Sequence, residues 1–297
     1  MMVLRRIEGA VVAYCAIERL LADEPASIWL SADEYAELSA MRHEPARRQR
    51  LAGRILAKML VLRQFEPETG ATSCHPQQVR INSRDGLGRR VAPRVSIDGR
   101  WLNWSLTVSH TESIVAAALS TDGTRPVGID VTDLAAGTNA ALLLWLTSAE
   151  QEVAADRGID GTVHLWCLKE AAFKALAGGR DFRPLQWDVS GCVPRIAESA
   201  AREYRGRGVR GRTSESVDVV TSAHCHASIG DVRMRTAGGW MSRSVDVHAW
   251  EVENALICIA RARTNAWAEM TMDDPPAETV PTETPRLRLS ELSGCRQ

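Results

Sequence analysis

The sequence has little of what a membrane protein, a disulfide-stapled domain or a nucleic-acid-binding protein needs. No apolar run approaches the ~20 residues that cross a bilayer. The formal net charge is -1, from 36 basic and 37 acidic side chains, so no overall charge attracts nucleic acid or a membrane surface. The seven cysteines form no Cys-x-x-Cys pair, and scattered thiols in a long chain are typical of a reducing compartment. We therefore expect a cytoplasmic protein without a membrane or nucleic-acid partner.

Phenylalanine and tyrosine are also scarce, with three of each against nine tryptophans. Five tryptophans flank predicted elements, and we expect them in the core: Trp101, Trp104, Trp145, Trp187 and Trp250. Near the N-terminus, Arg5 and Arg6 precede an apolar run that loosely imitates a signal peptide. Glu8 interrupts its start and two charged residues follow it, so we predict a buried strand over 10–17 instead.

We divide the chain into residues 1–135, residues 136–264 and a tail, residues 265–297, which begins where the composition changes. The tail is rich in Thr, Glu and Pro and is predicted to be disordered. Ser31 and Thr147 each precede a glutamate by three residues, which predicts two capped helix starts. Further helices are predicted from Pro45 and over 162–177, and strands are predicted over 105–108, 114–119, 127–131, 186–189, 217–220, 244–248 and 255–260. Helices interleaved with hairpins indicate the α+β class, and no internal sequence repeat is evident.

The strongest local signal is the segment Trp166-x-x-Lys169-Glu170-x-x-x-Lys174. On a helix, Glu170 and Lys174 share one face because they are four residues apart. A carboxylate could hold a metal ion there, and the ammonium could neutralise a phosphate oxygen. A plain surface ion pair has the same spacing.

Two weaker signals precede it. Asp130 ends the predicted strand over 127–131 and is two residues from Gly128, whose missing side chain lets another backbone or a ligand come close. Ser109 and His110 lie in a predicted hairpin turn, where the imidazole could donate to a phosphate. Each signal alone also fits an ordinary polar turn.

In this order the three segments resemble the 4'-phosphopantetheinyl transferase superfamily, in its larger, surfactin-synthetase-activating (Sfp-like) type. The family pattern is a Ser-His turn, then Gly-x-Asp, then Trp-x-x-Lys-Glu-x-x-x-Lys, and the cap from Leu146 to Glu150 matches a weaker family feature. The resemblance covers roughly residues 25–262. It implies a monomeric pseudo-dimer of two similar α+β halves with the active site at their interface.

The resemblance also implies the activity and the roles of the site residues. The enzyme would transfer the 4'-phosphopantetheine arm of coenzyme A to a serine of an apo carrier protein. Asp130 and Glu170 would hold Mg²⁺ or Mn²⁺, and Lys174 would contact the phosphates. Ser109 and His110 would bind coenzyme A, with His110 near its 3'-phosphate. The serine hydroxyl would attack the β-phosphorus, with Glu170 or a metal-bound water beside it as candidate base, releasing adenosine 3',5'-bisphosphate.

One position departs from the family pattern. Thr132 stands where many relatives carry a second acid, and alternation along a strand puts it on the same face as Asp130. A hydroxyl is a poorer Mg²⁺ ligand than a carboxylate, so water would fill that place.

The resemblance further implies basic residues from the N-terminal half. Arg47, Arg50, Arg54 and Lys58 fall at helical spacing on the helix from Pro45, and a basic stripe suits a polyanionic cofactor as well as plain solvent exposure. We select Arg50 and Arg54 from this stripe. Arg89 follows Gly88 where the family often has Gly-Lys-Pro or Gly-Arg-Pro, and is a further phosphate-binding candidate.

Three alternatives stay open. The chain could be a non-catalytic coenzyme A or carrier-protein binding relative, which Thr132 favours, or another Mg²⁺-dependent phosphoryl or phosphodiester enzyme. A zinc site at His224, Cys225 and His226 is disfavoured because strand alternation separates the cysteine from the histidines. The arginine-rich loop 199–214 could contact an acidic carrier or RNA, or simply remain solvated. The sequence does not distinguish fatty-acid, polyketide and nonribosomal-peptide carriers.

Overall fold

A computed structural model describes residues 2–69, 74–85, 87, 89–138, 140–177, 181–192, 226–236 and 239–263. Its five α-helices are α1 (Ile17–Asp23), α2 (Ala26–Trp29), α3 (Ala32–Ser39), α4 (Glu44–Thr69) and α5 (Ser148–Leu176). Its first seven strands are β1 (Val3–Ile7), β2 (Ala10–Ala16), β3 (Val79–Arg84), β4 (Arg90–Ile97), β5 (Arg100–Trp101), β6 (Ser105–His110) and β7 (Ile114–Ser120). The remaining strands are β8 (Val127–Asp133), β9 (Trp187–Asp188), β10 (His226–Thr236), β11 (Gly239–Val252) and β12 (Ala255–Ala262). No helix in these ranges is long and apolar enough to cross a membrane.

The strands form three antiparallel sheets. The first has the order β1-β2-β7-β6, the second β8-β12-β11-β10-β9, and the third, smaller one β3-β4-β5. Helix α4 packs on the first sheet through buried residues such as Ile55 and Leu56, and α5 packs on the second through residues such as Leu168 and Ala172. The mixed architecture confirms the predicted α+β class.

The two large sheets also pack against each other. Their other faces share a third core cluster, which contains Val12 and Ala116 from the first sheet and Ile129, Trp250 and Ile257 from the second. The layers therefore run helix α4, first sheet, second sheet, helix α5. Burial of each sheet on both faces fixes strand register, because a one-residue slip would exchange the two faces.

A repeated local structure holds each long helix in place. Trp29-Leu-Ser-x-x-Glu34 caps α3, the helix before α4, and Trp145-Leu-Thr-x-x-Glu150 caps α5 itself. Both are capping boxes, as predicted: the Ser31 and Thr147 side chains accept from the backbone of the glutamate, whose side chain accepts from the cap backbone.

In each case a buried lysine of the long helix completes the arrangement. Lys58 Nζ lies 2.6 Å from Glu34 Oε2 and 2.8 Å from the Trp29 carbonyl oxygen. Lys169 Nζ lies 2.5 Å from Glu150 Oε2 and 3.0 Å from the Trp145 carbonyl oxygen. We call each Trp-Glu-Lys set a clasp. The clasps form an internal repeat that sequence inspection missed, because only four of its positions coincide.

Several predicted elements differ in extent. The strand over 10–17 and the helix from Pro45 are confirmed as β2 and α4, whereas the predicted 162–177 helix is the second half of the 29-residue α5. Trp187 and Trp250 are buried as expected, but the core prediction is wrong for Trp101 and Trp145, which are about half exposed. The predicted strand 217–220, loop 199–214, His224, Cys225 and tail 265–297 lie outside the described residues.

Candidate active site

Asp130 lies at the meeting point of the two large sheets. It is in the middle of β8, the edge strand of the second sheet, rather than at the strand end that was predicted. Its side chain is 4% exposed, and Oδ1 accepts hydrogen bonds from Ser109 Oγ at 2.7 Å and from Lys174 Nζ at 2.7 Å. Oδ2 accepts from Thr132 Oγ1 at 2.9 Å. Both carboxylate oxygens are therefore held by neighbouring side chains.

Glu170 and Lys174 approach Asp130 from α5, on the face that sequence spacing predicted. Lys174 Nζ lies 3.6 Å from Glu170 Oε2 and 3.1 Å from Ser109 Oγ. Gly128 makes this approach possible: a Cβ there would lie 2.0 Å from the Ala171 carbonyl oxygen, so only glycine lets the helix backbone pack directly on β8. Two predicted carboxylates and one predicted lysine thus form one cluster.

The electrostatics of the cluster follow from burial and from its unequal charges. Burial, and then the negative charge of Asp130, raise the pKa of Glu170 to about 7. Burial alone would lower the pKa of Lys174, but the carboxylates of Asp130 and Glu170 outweigh it and raise that pKa. Partial burial and the nearby Lys174 ammonium lower the pKa of His110. At neutral pH the cluster therefore holds a firmly protonated lysine and a glutamate poised to exchange a proton.

Ser109 and His110 are the last residues of β6, so the predicted five-residue turn shrinks to residues 111–113. Ser109 is buried and donates to Asp130, a contact that sequence reasoning missed because strand extension decides where its hydroxyl lies. His110 is exposed beside it. Gln49 of α4 donates to the Thr111 carbonyl oxygen at 3.2 Å and ties the start of α4 to this turn.

The predicted basic stripe of α4 is not continuous. Lys58 is fully buried in its clasp and cannot contact a ligand. The Arg54 guanidinium is 9% exposed and lies 3.3 Å from Glu34 Oε1, and the Arg50 guanidinium lies 3.3 Å from Glu37 Oε1. Arg50 and Arg54 are therefore neutralised by α3, a pairing that helical spacing alone cannot reveal.

Arg89 lies in the β3–β4 hairpin, where its Nε is 2.6 Å from Asp85 Oδ2 and its side chain is exposed. None of the hydrogen bonds between described residues joins it to the cluster around Asp130. Within the same residues, no three His, Cys, Asp or Glu side chains gather closely enough to hold a metal ion. A cation site at the cluster would therefore contain two protein carboxylates, Asp130 and Glu170.

The comparisons with known proteins agree with the motif. The family model described as the 4'-phosphopantetheinyl transferase superfamily matches residues 126–214. This span includes Asp130, Thr132, Glu170 and Lys174, but not Ser109 or His110. No curated protein matches the chain. The match covers 89 of the 297 residues and indicates similarity to transferases of the phosphopantetheinyl transferase kind, a superfamily that in general acts on coenzyme A and a carrier protein.

Proposed function

We propose that this chain transfers the 4'-phosphopantetheine arm of coenzyme A to a serine of an apo acyl or peptidyl carrier protein and releases adenosine 3',5'-bisphosphate. The observation that carries the proposal is the convergence of Asp130 from β8 with Glu170 and Lys174 from α5, inside the segment that the family model matches. A buried acid, a poised acid and an ammonium within hydrogen-bonding distance suit metal-assisted chemistry on a diphosphate.

The proposed fold is a pseudo-dimer with boundaries near residues 135 and 264. Its support is the repeated clasp that holds α4 and α5, and the packing of the two sheets through a shared apolar cluster. The site then lies where β6 and β8 of the first half meet α5 of the second half. We propose that the protein is a monomer in the cytoplasm.

The residues of the cluster fit a hard divalent cation, Mg²⁺ or Mn²⁺. Asp130 and Glu170 supply carboxylate oxygens, and Mg²⁺ normally keeps several water ligands, so two carboxylates suffice. Thr132 donates its hydroxyl to Asp130, which makes it a positioning residue rather than a replacement for the family acid. When bound, the cation supplies positive charge to the pyrophosphate oxygens of coenzyme A.

The side chains of the chain itself perform the remaining steps. Lys174 donates to the phosphate oxygens on which charge grows as the bond to the β-phosphorus breaks. Glu170 takes the proton of the carrier serine as the serine oxygen bonds to the β-phosphorus. His110 lies beside the cluster and would bind coenzyme A near its 3'-phosphate, and Ser109 would bind coenzyme A only if its hydroxyl left Asp130. Arg50, Arg54 and Arg89 bind it only if they exchange their carboxylate partners for phosphate.

An exposed apolar segment held to the helix that carries Glu170 suits the carrier protein. Leu143, Leu144 and Trp145 are 41%, 73% and 47% exposed. The Trp145 carbonyl oxygen accepts from Lys169, the residue before Glu170, so this segment is anchored to the site helix. We assign it to carrier contact, because exposed apolar residues grouped together mark interaction sites.

The experiment that tests the function combines the full chain, coenzyme A, Mg²⁺ and a panel of apo carriers, and reads the carrier mass. We expect the mass of one added arm, its loss with EDTA, and its loss in Glu170→Gln. A matched control is Glu152→Gln, because Glu152 is an exposed residue of the same helix far from the cluster. Binding of coenzyme A without any arm transfer would favour the non-catalytic alternative and refute the enzyme.

A further inference from the structure

The Lys174 ammonium contacts the same carboxylates that the proposed function assigns to a divalent cation. It lies 2.7 Å from Asp130 Oδ1 and 3.6 Å from Glu170 Oε2, and Ser109 Oγ accepts its third contact at 3.1 Å. Its side chain is 25% exposed and that of Glu170 is 26% exposed, so a cation or an anion from solvent can reach both groups. The chain thus supplies its own cation to its two acids.

Lysine is rare in this chain, which makes the placement more informative. The 297 residues contain three lysines, Lys58, Lys169 and Lys174, against 33 arginines. Lys58 and Lys169 are fully buried in the clasps, and Lys174 is the partly exposed one. An ammonium is a compact point charge on a flexible stem, so it can leave one anion for another more readily than a forked guanidinium can.

The charges of the cluster favour an exchange of partners. With both acids ionised, two negative charges face one positive charge, and Thr132 adds no further charge because it is a neutral donor. A divalent cation that approaches Asp130 therefore meets a site already half neutralised, and it is repelled by the ammonium at short range. Diphosphate oxygens would offer Lys174 another anionic partner.

Resting on the proposed function, we propose that Lys174 competes with the divalent cation for Asp130 and Glu170, and that coenzyme A removes this competition by drawing Lys174 onto its phosphates. Metal and coenzyme A then bind cooperatively, and each must tighten the binding of the other by the same factor. The lysine acts as an internal gate that keeps metal affinity low until substrate arrives.

The test measures Mn²⁺ binding to the full chain by electron paramagnetic resonance of the free ion, with and without coenzyme A. Wild type should bind Mn²⁺ weakly alone and at least tenfold more tightly with saturating coenzyme A. Lys174→Met should bind Mn²⁺ alone at least tenfold more tightly than wild type, although it should lose arm transfer. Lys174→Arg keeps the positive charge and should stay weak.

Arg157→Met is the matched control, because it removes one positive charge from the same helix nearly five turns from Lys174. It should leave Mn²⁺ binding unchanged. Equal or weaker Mn²⁺ binding by a folded Lys174→Met overturns the proposal, while arm transfer by wild type would leave the proposed function standing. If neither transfer nor Mn²⁺ binding occurs in wild type, both fail.

A second measurement needs no variant. Amine acetylation followed by peptide mass spectrometry reports on Lys174, since the other two lysines are buried. Saturating Mn²⁺ alone should speed acetylation of Lys174 severalfold by releasing it, and adding coenzyme A should reverse this gain. An unchanged or slower rate with Mn²⁺ contradicts the exchange.

Discussion

Replacing Gly128 by alanine should force helix α5 away from strand β8 at the site. The new Cβ would lie 2.0 Å from the Ala171 carbonyl oxygen and 2.5 Å from the Ala175 backbone nitrogen. Restoring an ordinary contact of 3.4 Å requires α5 and β8 to separate by about 1.4 Å, the difference between 3.4 and 2.0 Å. Because both obstructing atoms belong to helix backbone, no side chain can rotate away. We therefore expect a cost at the upper end of the overpacking range, about 3 kcal/mol.

The same shift should reach the chemistry. Asp130 follows Gly128 on β8, and Lys174 lies beside Ala175 on α5, so separating the two elements stretches the 2.7 Å contact between Asp130 and Lys174. Urea unfolding should show the stability loss, and the arm-transfer assay should show a fall of at least tenfold at a temperature where the variant is folded. Misplacing reacting groups by about 1 Å is enough for such a loss.

Gly53→Ala is the matched control. Gly53 lies on α4, and a Cβ there would meet the Val108 Cγ1 methyl at 3.0 Å, which can yield by side-chain rotation. Alanine also favours a helix interior over glycine by about 1 kcal/mol. We expect a stability change within about 1 kcal/mol and normal transfer. A Gly128→Ala protein as stable and active as the Gly53→Ala protein would refute the reasoning.

Three further outcomes follow from buried charges. The pKa of Glu170 is about 7, above its ordinary 4.5, so between these pH values the folded protein holds a proton that the unfolded chain releases. This group should therefore lower the free energy of unfolding by up to about 3 kcal/mol as pH rises from 4.5 through 7. The difference in urea stability between wild type and Glu170→Gln should change over that pH range, and a constant difference would contradict the raised pKa. Lys169→Met leaves the Glu150 carboxylate buried without its ammonium and should cost about 3–5 kcal/mol in urea unfolding, with Lys169→Met/Glu150→Gln costing less than the sum of the two single changes. Lys58→Met should cost less than Lys169→Met, because Arg54 still lies 3.3 Å from the glutamate of that clasp; the reverse order would show that Arg54 adds nothing.

Structural features that depend on residues close together in the chain were predicted correctly from the sequence. The capping boxes at Ser31 and Thr147 formed as predicted because each involves four consecutive residues. The shared face of Glu170 and Lys174 followed from helical spacing. The fold class and the placement of Glu170 and Lys174 on one helix face were therefore predictable from the sequence.

Contacts between distant segments were not predictable in the same way. The sequence predicted Arg50 and Arg54 to be phosphate ligands, but both pair with glutamates of α3. Helical spacing within α4 cannot predict how a separate helix packs against it. Strands β1 and β10 were missed: β1 has only five residues, with two arginines in its centre, and β10 carries a glycine and an aspartate in its centre. Pairing with β2 and β11 defines these two strands instead. Likewise, Thr132 can donate its hydrogen bond to Asp130 only because strand β8 continues past Asp130.

The two clasps lie in one chain, so the helices that carry them can accept different substitutions. On α5 the residues one and five places after the clasp lysine are Glu170 and Lys174. On α4 the equivalent places hold Met59 and Arg63. The clasp occurs twice in the described residues, but an acid follows its lysine in one case only. Because the two clasps belong to different segments of one chain, α5 can carry an acid and an ammonium while α4 carries a methionine and a guanidinium at the matching places.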